Sequence, residues 1–187
     1  MRGLAKIDLI KTRVSPANAQ SVLAACSCPK EFGLLSLDID SFDNEVLDSI
    51  LSAYRPSVLC CEINEVIPPP IAFRVVYSPK HKWEWGVFQG QSIEMCNQVA
   101  RMHGYRIVEL YYNNLIMIRS DDPAGIALSP YEAYQRGYLG KSDRLERFPW
   151  NRDFEHLYSM TPDAALNYLN KLFSGRGNFE LTINRKQ

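Results

Sequence analysis

The chain has 187 residues, 46% hydrophobic and 22% charged, which suits one globular domain with an extension and a core of real size. Its 21 basic and 21 acidic residues cancel, so no net field recruits nucleic acid or an acidic membrane surface. No apolar run approaches the roughly 20 residues of a membrane span, and "MRGLAKIDLIKTRV" has no signal-peptide core, so a cytoplasmic location is expected.

In chain order, "KIDLIKTRV" (residues 6–14) reads as a short strand. Ser15 can cap a helix with Pro16 at its first position, running to about Ala25. "GLLSLDI" is a continuous apolar run, the pattern of a strand buried on both faces. From Asp43, apolar Val46, Leu47, Ile50, Leu51 and Tyr54 recur at helical spacing, and Arg55-Pro56 ends that helix. "SVLCCEIN" is a second buried strand. Residues 65–90, with Pro68, Pro69, Pro70 and Pro79 and the aromatics Trp83, Trp85 and Phe88, read as a long loop, a candidate lid.

A helix resumes at Gln91 or Ser92, with Ile93, Cys96, Val99, Ala100 and His103 on one face and Gly104 after its end. "RIVELYY" and "LIMIRS" are strands joined at Asn113-Asn114, where asparagine tolerates a tight turn. The order implies an α/β fold, a mainly parallel sheet with a final antiparallel strand. Beyond Pro123, Ser129 with Glu132 makes a capping box, and Thr161-Pro162 starts a helix with Leu166, Leu169, Leu172 and Phe173 on its apolar face. Residues 123–187 are therefore expected to be a helical extension packed on the sheet of residues 1–122, with the aromatic and basic "RLERFPWN" between its helices. Cys26, Cys28, Cys60, Cys61 and Cys96 lack the spacing of zinc or redox pairs and are expected to be reduced thiols in the core.

Chemistry concentrates at the strand ends. Asp38 and Asp40 end one strand, and Glu62 and Asn64 end the next. If these strands are neighbours, about 4.8 Å apart, four oxygen-bearing side chains converge at one rim, where open sheets bind ligands. Such oxygens suit Mg²⁺ or Mn²⁺, and crowded carboxylates also raise one another's pKa, so Asp38 and Asp40 are candidate catalytic groups. The plainer reading is that Ser41 and Asp43 cap the helix while the other acids face solvent. Asp43 itself is expected to be only a cap.

"DID" after an apolar strand resembles the DxD motif of glycosyltransferases. "DIDSF" resembles the nucleophile motif of haloacid-dehalogenase-type phosphatases, with Phe42 where that motif has Thr or Val. A longer resemblance runs through "FGLLSLDIDSFDNEVLDSI", "RPSVLCCEIN", "FQGQSIEMCNQVARMHGYRIVEL" and "NNLIMIRSD", in that order. Together they resemble the C-terminal half of class I SAM-dependent methyltransferases of the FkbM-like kind, over roughly residues 5–122.

The resemblance implies a Rossmann-type sheet in which residues 34–40 and 58–64 are its fourth and fifth strands, side by side. It also implies SAM as cofactor and O-methyl transfer to a small molecule or sugar. The metal site of catechol-type O-methyltransferases would fall on Asp38 or Asp40 with Glu62 and Asn64. The family's first strands and its glycine-rich SAM loop have no counterpart, since the only GxG is Gly175-Arg176-Gly177. The expectation is thus half of such a domain, with its open sheet edge covered by a second copy, by residues 123–187 or by a separate N-terminal partner. The alternatives are a non-catalytic binding module built on this half-fold and a DxD-type, metal-dependent glycosyltransferase.

Overall fold

The computed structural model describes residues 9–82 and 86–184. Residues 6–8 of the first expected strand, and Trp83 and Trp85 of the expected lid, lie outside that range. Residues 9–14 form no strand. Helix α1 (Ala19–Ala25) begins later than Ser15 because Asn18 is its cap residue, and the Asn18 Oδ1 accepts the Ser15 amide at 2.7 Å to close the preceding turn.

The main sheet has four strands, β1 (Glu31–Leu37), β2 (Arg55–Glu62), β4 (Tyr105–Tyr111) and β5 (Asn114–Arg119), in the order β1-β2-β5-β4. The fold is α/β with an open mixed sheet. β1 and β2 are parallel, whereas β5 is antiparallel to both β2 and β4. The antiparallel strand therefore lies inside the sheet, and β1–β2 is the one parallel neighbouring pair among these four. The reason is the short hairpin after β4, which returns the chain between β4 and β2 and satisfies both rows of backbone groups.

Helices α2 (Asp43–Leu51) and α3 (Ile93–Met102) cover one face. Val46, Leu47, Ile50 and Leu51 of α2, with Ile93, Cys96, Val99 and Ala100 of α3, pack on Leu35, Leu37, Leu59, Cys61, Leu115 and Met117. Ser92 caps α3 by accepting the Met95 amide, and Gly104 takes φ +80° just beyond it. β1 is not buried on both faces: Leu34 is 58% exposed, because β1 is the sheet edge and its second face carries no helix among the described residues.

The stretch expected to be a lid contains a strand, β3 (Ile71–Val75). It pairs antiparallel with β6 (Phe179–Ile183), so the C-terminal extension is not wholly helical. Its helices are α4 (Pro130–Tyr134), continued by a π-helical turn Gln135–Leu139, then α5 (Arg144–Arg147), a 3₁₀ stretch Pro149–Ser159, and α6 (Pro162–Phe173). β3, β6 and α6 enclose a second core in which the Phe73 and Phe173 rings meet at a tilt of 39° with centroids 4.8 Å apart. The hairpin turn is Tyr112-Asn113, not Asn113-Asn114. Tyr112 holds φ +57° while its hydroxyl donates to Asp143 at 2.6 Å and Arg147 lies 4.4 Å over its ring. All five cysteines are free. Cys61 and Cys96 are buried, while Cys26, Cys28 and Cys60 are half-buried.

Candidate functional site: acids at the strand ends

The parallel register of β1 and β2 carries both strands out of the sheet at the same end. β1 stops at Leu37 and β2 at Glu62. The segment that follows β1 is shaped by Asp43. Its carboxylate accepts the amides of Ile39 (2.9 Å) and Ser41 (3.0 Å), so it folds the Asp38–Ser41 turn over the start of α2. Asp43 is thus the first residue of α2 and anchors the turn, rather than acting as the cap. It is 2% exposed, and burial outweighs those amide bonds, pushing its pKa up to about 6. The turn places Asp40 at φ +54°, a conformation that asparagine and glycine share with aspartate at modest strain.

This geometry gathers Asp38, Asp40 and Glu62, each offering a carboxylate oxygen within 4.8 Å of the others. Asp38 is exposed, and Asp40 and Glu62 are half-buried. Burial, the hydrogen bond with Asp38 and the charges of Asp38 and Asp40 push Glu62 up to about 9. Burial and the Asp38 charge also raise Asp40. Asn113, in the β4–β5 turn, donates to Glu62 Oε1 at 2.6 Å and fixes the carboxyl group's orientation.

Asn64, the fourth expected ligand, has another task. It is 3% exposed, and its amide nitrogen donates to the carbonyl oxygens of Val87 (2.7 Å) and Gln89 (3.0 Å). It ties the segment before α3 to the strand ends and lines the same cavity as Asp40 and Glu62.

That cavity measures about 690 Å³. The strand ends form one wall, Val87 and Gln89 a second, and the extension a third, through Phe148, Trp150, Asn151, Phe154 and Arg176. Trp150 packs edge-on against Phe148 at 5.7 Å yet stays 62% exposed. Asn151 is fully buried and donates to Glu65 Oε1 at 2.6 Å and the Tyr138 hydroxyl at 3.0 Å. Tyr134 reaches the same place from α4, donating to the Glu65 carbonyl oxygen. A larger depression, about 1010 Å³, opens near Tyr105, Arg106 and Ser120, where β4 starts and β5 has ended. It is at the other end of these strands from the Tyr112-Asn113 turn that supports Glu62.

The acids are legible in the sequence, and the opposite wall is not. The cluster "RLERFPWN" was the available signal for Phe148, Trp150 and Asn151. Arg176 sits in the one GxG of the chain, and its place in the wall follows from β6 returning to β3.

The arrangement supports two chemical states. Without a cation, the excess negative charge is relieved by a proton on Glu62 shared with Asp38. With one, the three carboxylates are ligands. Two oxygens on opposite sides of a bound ion stand about 4.2 Å apart for Mg²⁺ and about 4.8 Å for Ca²⁺, twice the usual bond lengths, so the group is within reach of a single ion. Compared with protein-family models, with curated proteins and with solved structures, the chain matches none.

Proposed function

We propose that this chain is a methyltransferase-like half-domain of Rossmann type, whose parallel strand ends hold Mg²⁺ or Mn²⁺ through Asp38, Asp40 and Glu62 and present it to a hydroxylated small molecule. The observation that carries this reading is the convergence of those three carboxylates within 4.8 Å beside the 690 Å³ cavity. The adjacency of β1 and β2 supports the family resemblance, which implies two neighbouring parallel strands over these residues.

The residues fit a hard cation. All three donors are oxygens, and Glu62 and Asp40 both bear the mark of like charges crowded into partial burial. When bound, such an ion polarises a coordinated hydroxyl and lowers its pKa. Asn113 holds Glu62 in place, and Asp43 holds the turn that carries Asp40. Trp150 and Phe154 stand across from these acids and restrict the ligand's approach.

SAM does not fit the described residues. A SAM site of this fold needs backbone amides from a tight glycine turn after a strand, and an acid for the ribose hydroxyls. Gly175 and Gly177 precede the antiparallel β6 instead. Methyl transfer therefore requires a cofactor site outside the described residues, and no step through SAM is assigned to them. A partner chain, or a second copy, would meet the open β1 edge, and a cytoplasmic setting suits the free thiols.

Calorimetric titration with MgCl₂ and MnCl₂ tests the cation reading. Wild-type chain should show one saturable site at millimolar metal or below. Asp40→Asn should weaken it about tenfold, or about 1.4 kcal/mol. The variant keeps the turn, since asparagine accepts positive φ. Absence of binding at millimolar metal would remove the proposal.

A further inference from the structure

We infer that the cavity between the strand ends and Trp150 is a carbohydrate site, in which a sugar ring lays an apolar face on Trp150 and gives its hydroxyl protons to Asp40, Glu62 and Asn151. The inference rests on the cation reading for one contact only, a ring oxygen on the ion.

The first support is an acceptor without a donor. Asn151 is fully buried, and its amide nitrogen donates to Glu65 Oε1. With Nδ2 committed to Glu65 and Tyr138, Oδ1 has no partner, and Gln89 Oε1, also on the cavity wall, has none either. Buried acceptors are ordinarily paired, so a donor-bearing ligand answers both atoms at once.

The second support is the wall itself. Phe148, Trp150 and Phe154 offer ring faces, and Trp150 is held by Phe148 yet left mostly open. A wholly apolar ligand would suit the rings and leave the oxygens unpaired. A simple anion would meet Asp40 and Glu62. An ammonium ligand would satisfy the acids but oppose Arg176 at the rim. A polyol satisfies all three, because each hydroxyl donates one proton and accepts at its lone pairs, so Arg176 has acceptors to meet while the acids have donors. The volume of about 690 Å³ lies within the about 300–1,000 Å³ usual for small-ligand sites.

Saturation-transfer NMR on the full chain, with methyl glycosides and with choline and putrescine as amine probes, is the test, run with and without MgCl₂. Glycosides should bind at millimolar concentration. Trp150→Ala, at an exposed position, should weaken binding about tenfold, and Trp150→Phe should restore most of it. Glycosides silent in the presence of bound metal, or amines bound in their place, would overturn the carbohydrate assignment and leave the cation site standing. Glycoside binding that is indifferent to metal, in a chain whose calorimetry shows no metal uptake, would uphold the carbohydrate site and remove the cation.

Discussion

Glu62 is where the proposed chemistry and the stability of the fold meet. Its ordinary pKa is 4.5, and burial with the neighbouring Asp38 and Asp40 lifts it to about 9. Between those values the folded chain keeps a proton that the unfolded chain has released. The metal-free protein should therefore lose stability as pH rises from about 4.5 to about 9. Asp43, raised from 3.8 to about 6, acts in the same direction over its own narrower window. A bound divalent cation replaces the proton on Glu62, so Mg²⁺ should stabilise the chain more at pH 8 than at pH 5. Urea denaturation at both values, with EDTA or with MgCl₂, reads this directly. Equal shifts at the two pH values would mean that the ion does not meet Glu62. The sequence showed that these acids lie after strands. It did not show that Asp43 folds back on Ile39 and Ser41, because cap and anchor have the same residue types at the same spacing.

Elements with a strong local period were legible. α2 and α3 have apolar residues at helical spacing, Ser92 and Gly104 mark the ends of α3, and the Ser129–Glu132 capping box starts α4, whereas α2 stops at Leu51 and Arg55-Pro56 already belongs to β2. β3 was hidden, since five residues between Pro70 and Pro79 carry little periodicity and their partner β6 lies over a hundred positions downstream. The continuous apolar run of β1 suggested burial on both faces, but which strands and helices flank it is not a local property, and Leu34 is exposed. The hairpin turn was displaced for the same kind of reason, as tertiary contacts of Tyr112 override the preference of asparagine. Gly137 shows such a contact at its tightest. A β-carbon there would lie 2.0 Å from the carbonyl oxygen of Leu110, where the π-helical turn meets β4. Gly137→Ala should therefore destabilise the protein by about 3 kcal/mol or more, the upper end for overpacking, because backbone rather than a side chain must move. Chemical denaturation would measure it. A loss under about 1 kcal/mol would show that the junction yields.

Across the whole sheet, the outer edge of β1 has no strand beside it among the described residues. The extension lays α4 and its π-helical turn against β4, as expected of a segment packed on the sheet, while its strand β6 pairs with β3. No hydrogen bond among the described residues reaches the outer edge of β1. No helix among the described residues is long and apolar enough to cross a membrane. Without a glycine turn after a parallel strand among the described residues, the chain should bind SAM no better than millimolar, since each lost tenfold corresponds to about 1.4 kcal/mol of missing contacts. Equilibrium dialysis with labelled SAM tests this, and micromolar binding would show that the cofactor site lies among residues given other roles here.

The proposed ion would be held by Asp38, Asp40 and Glu62 together. Crystals grown in MnCl₂ and measured at the manganese absorption edge address it most directly. A single anomalous peak is expected within about 2.0–2.4 Å of a carboxylate oxygen from each residue, lost in Asp40→Asn. No peak at the strand ends, or the three carboxylates turned to different sides with manganese present, would contradict it.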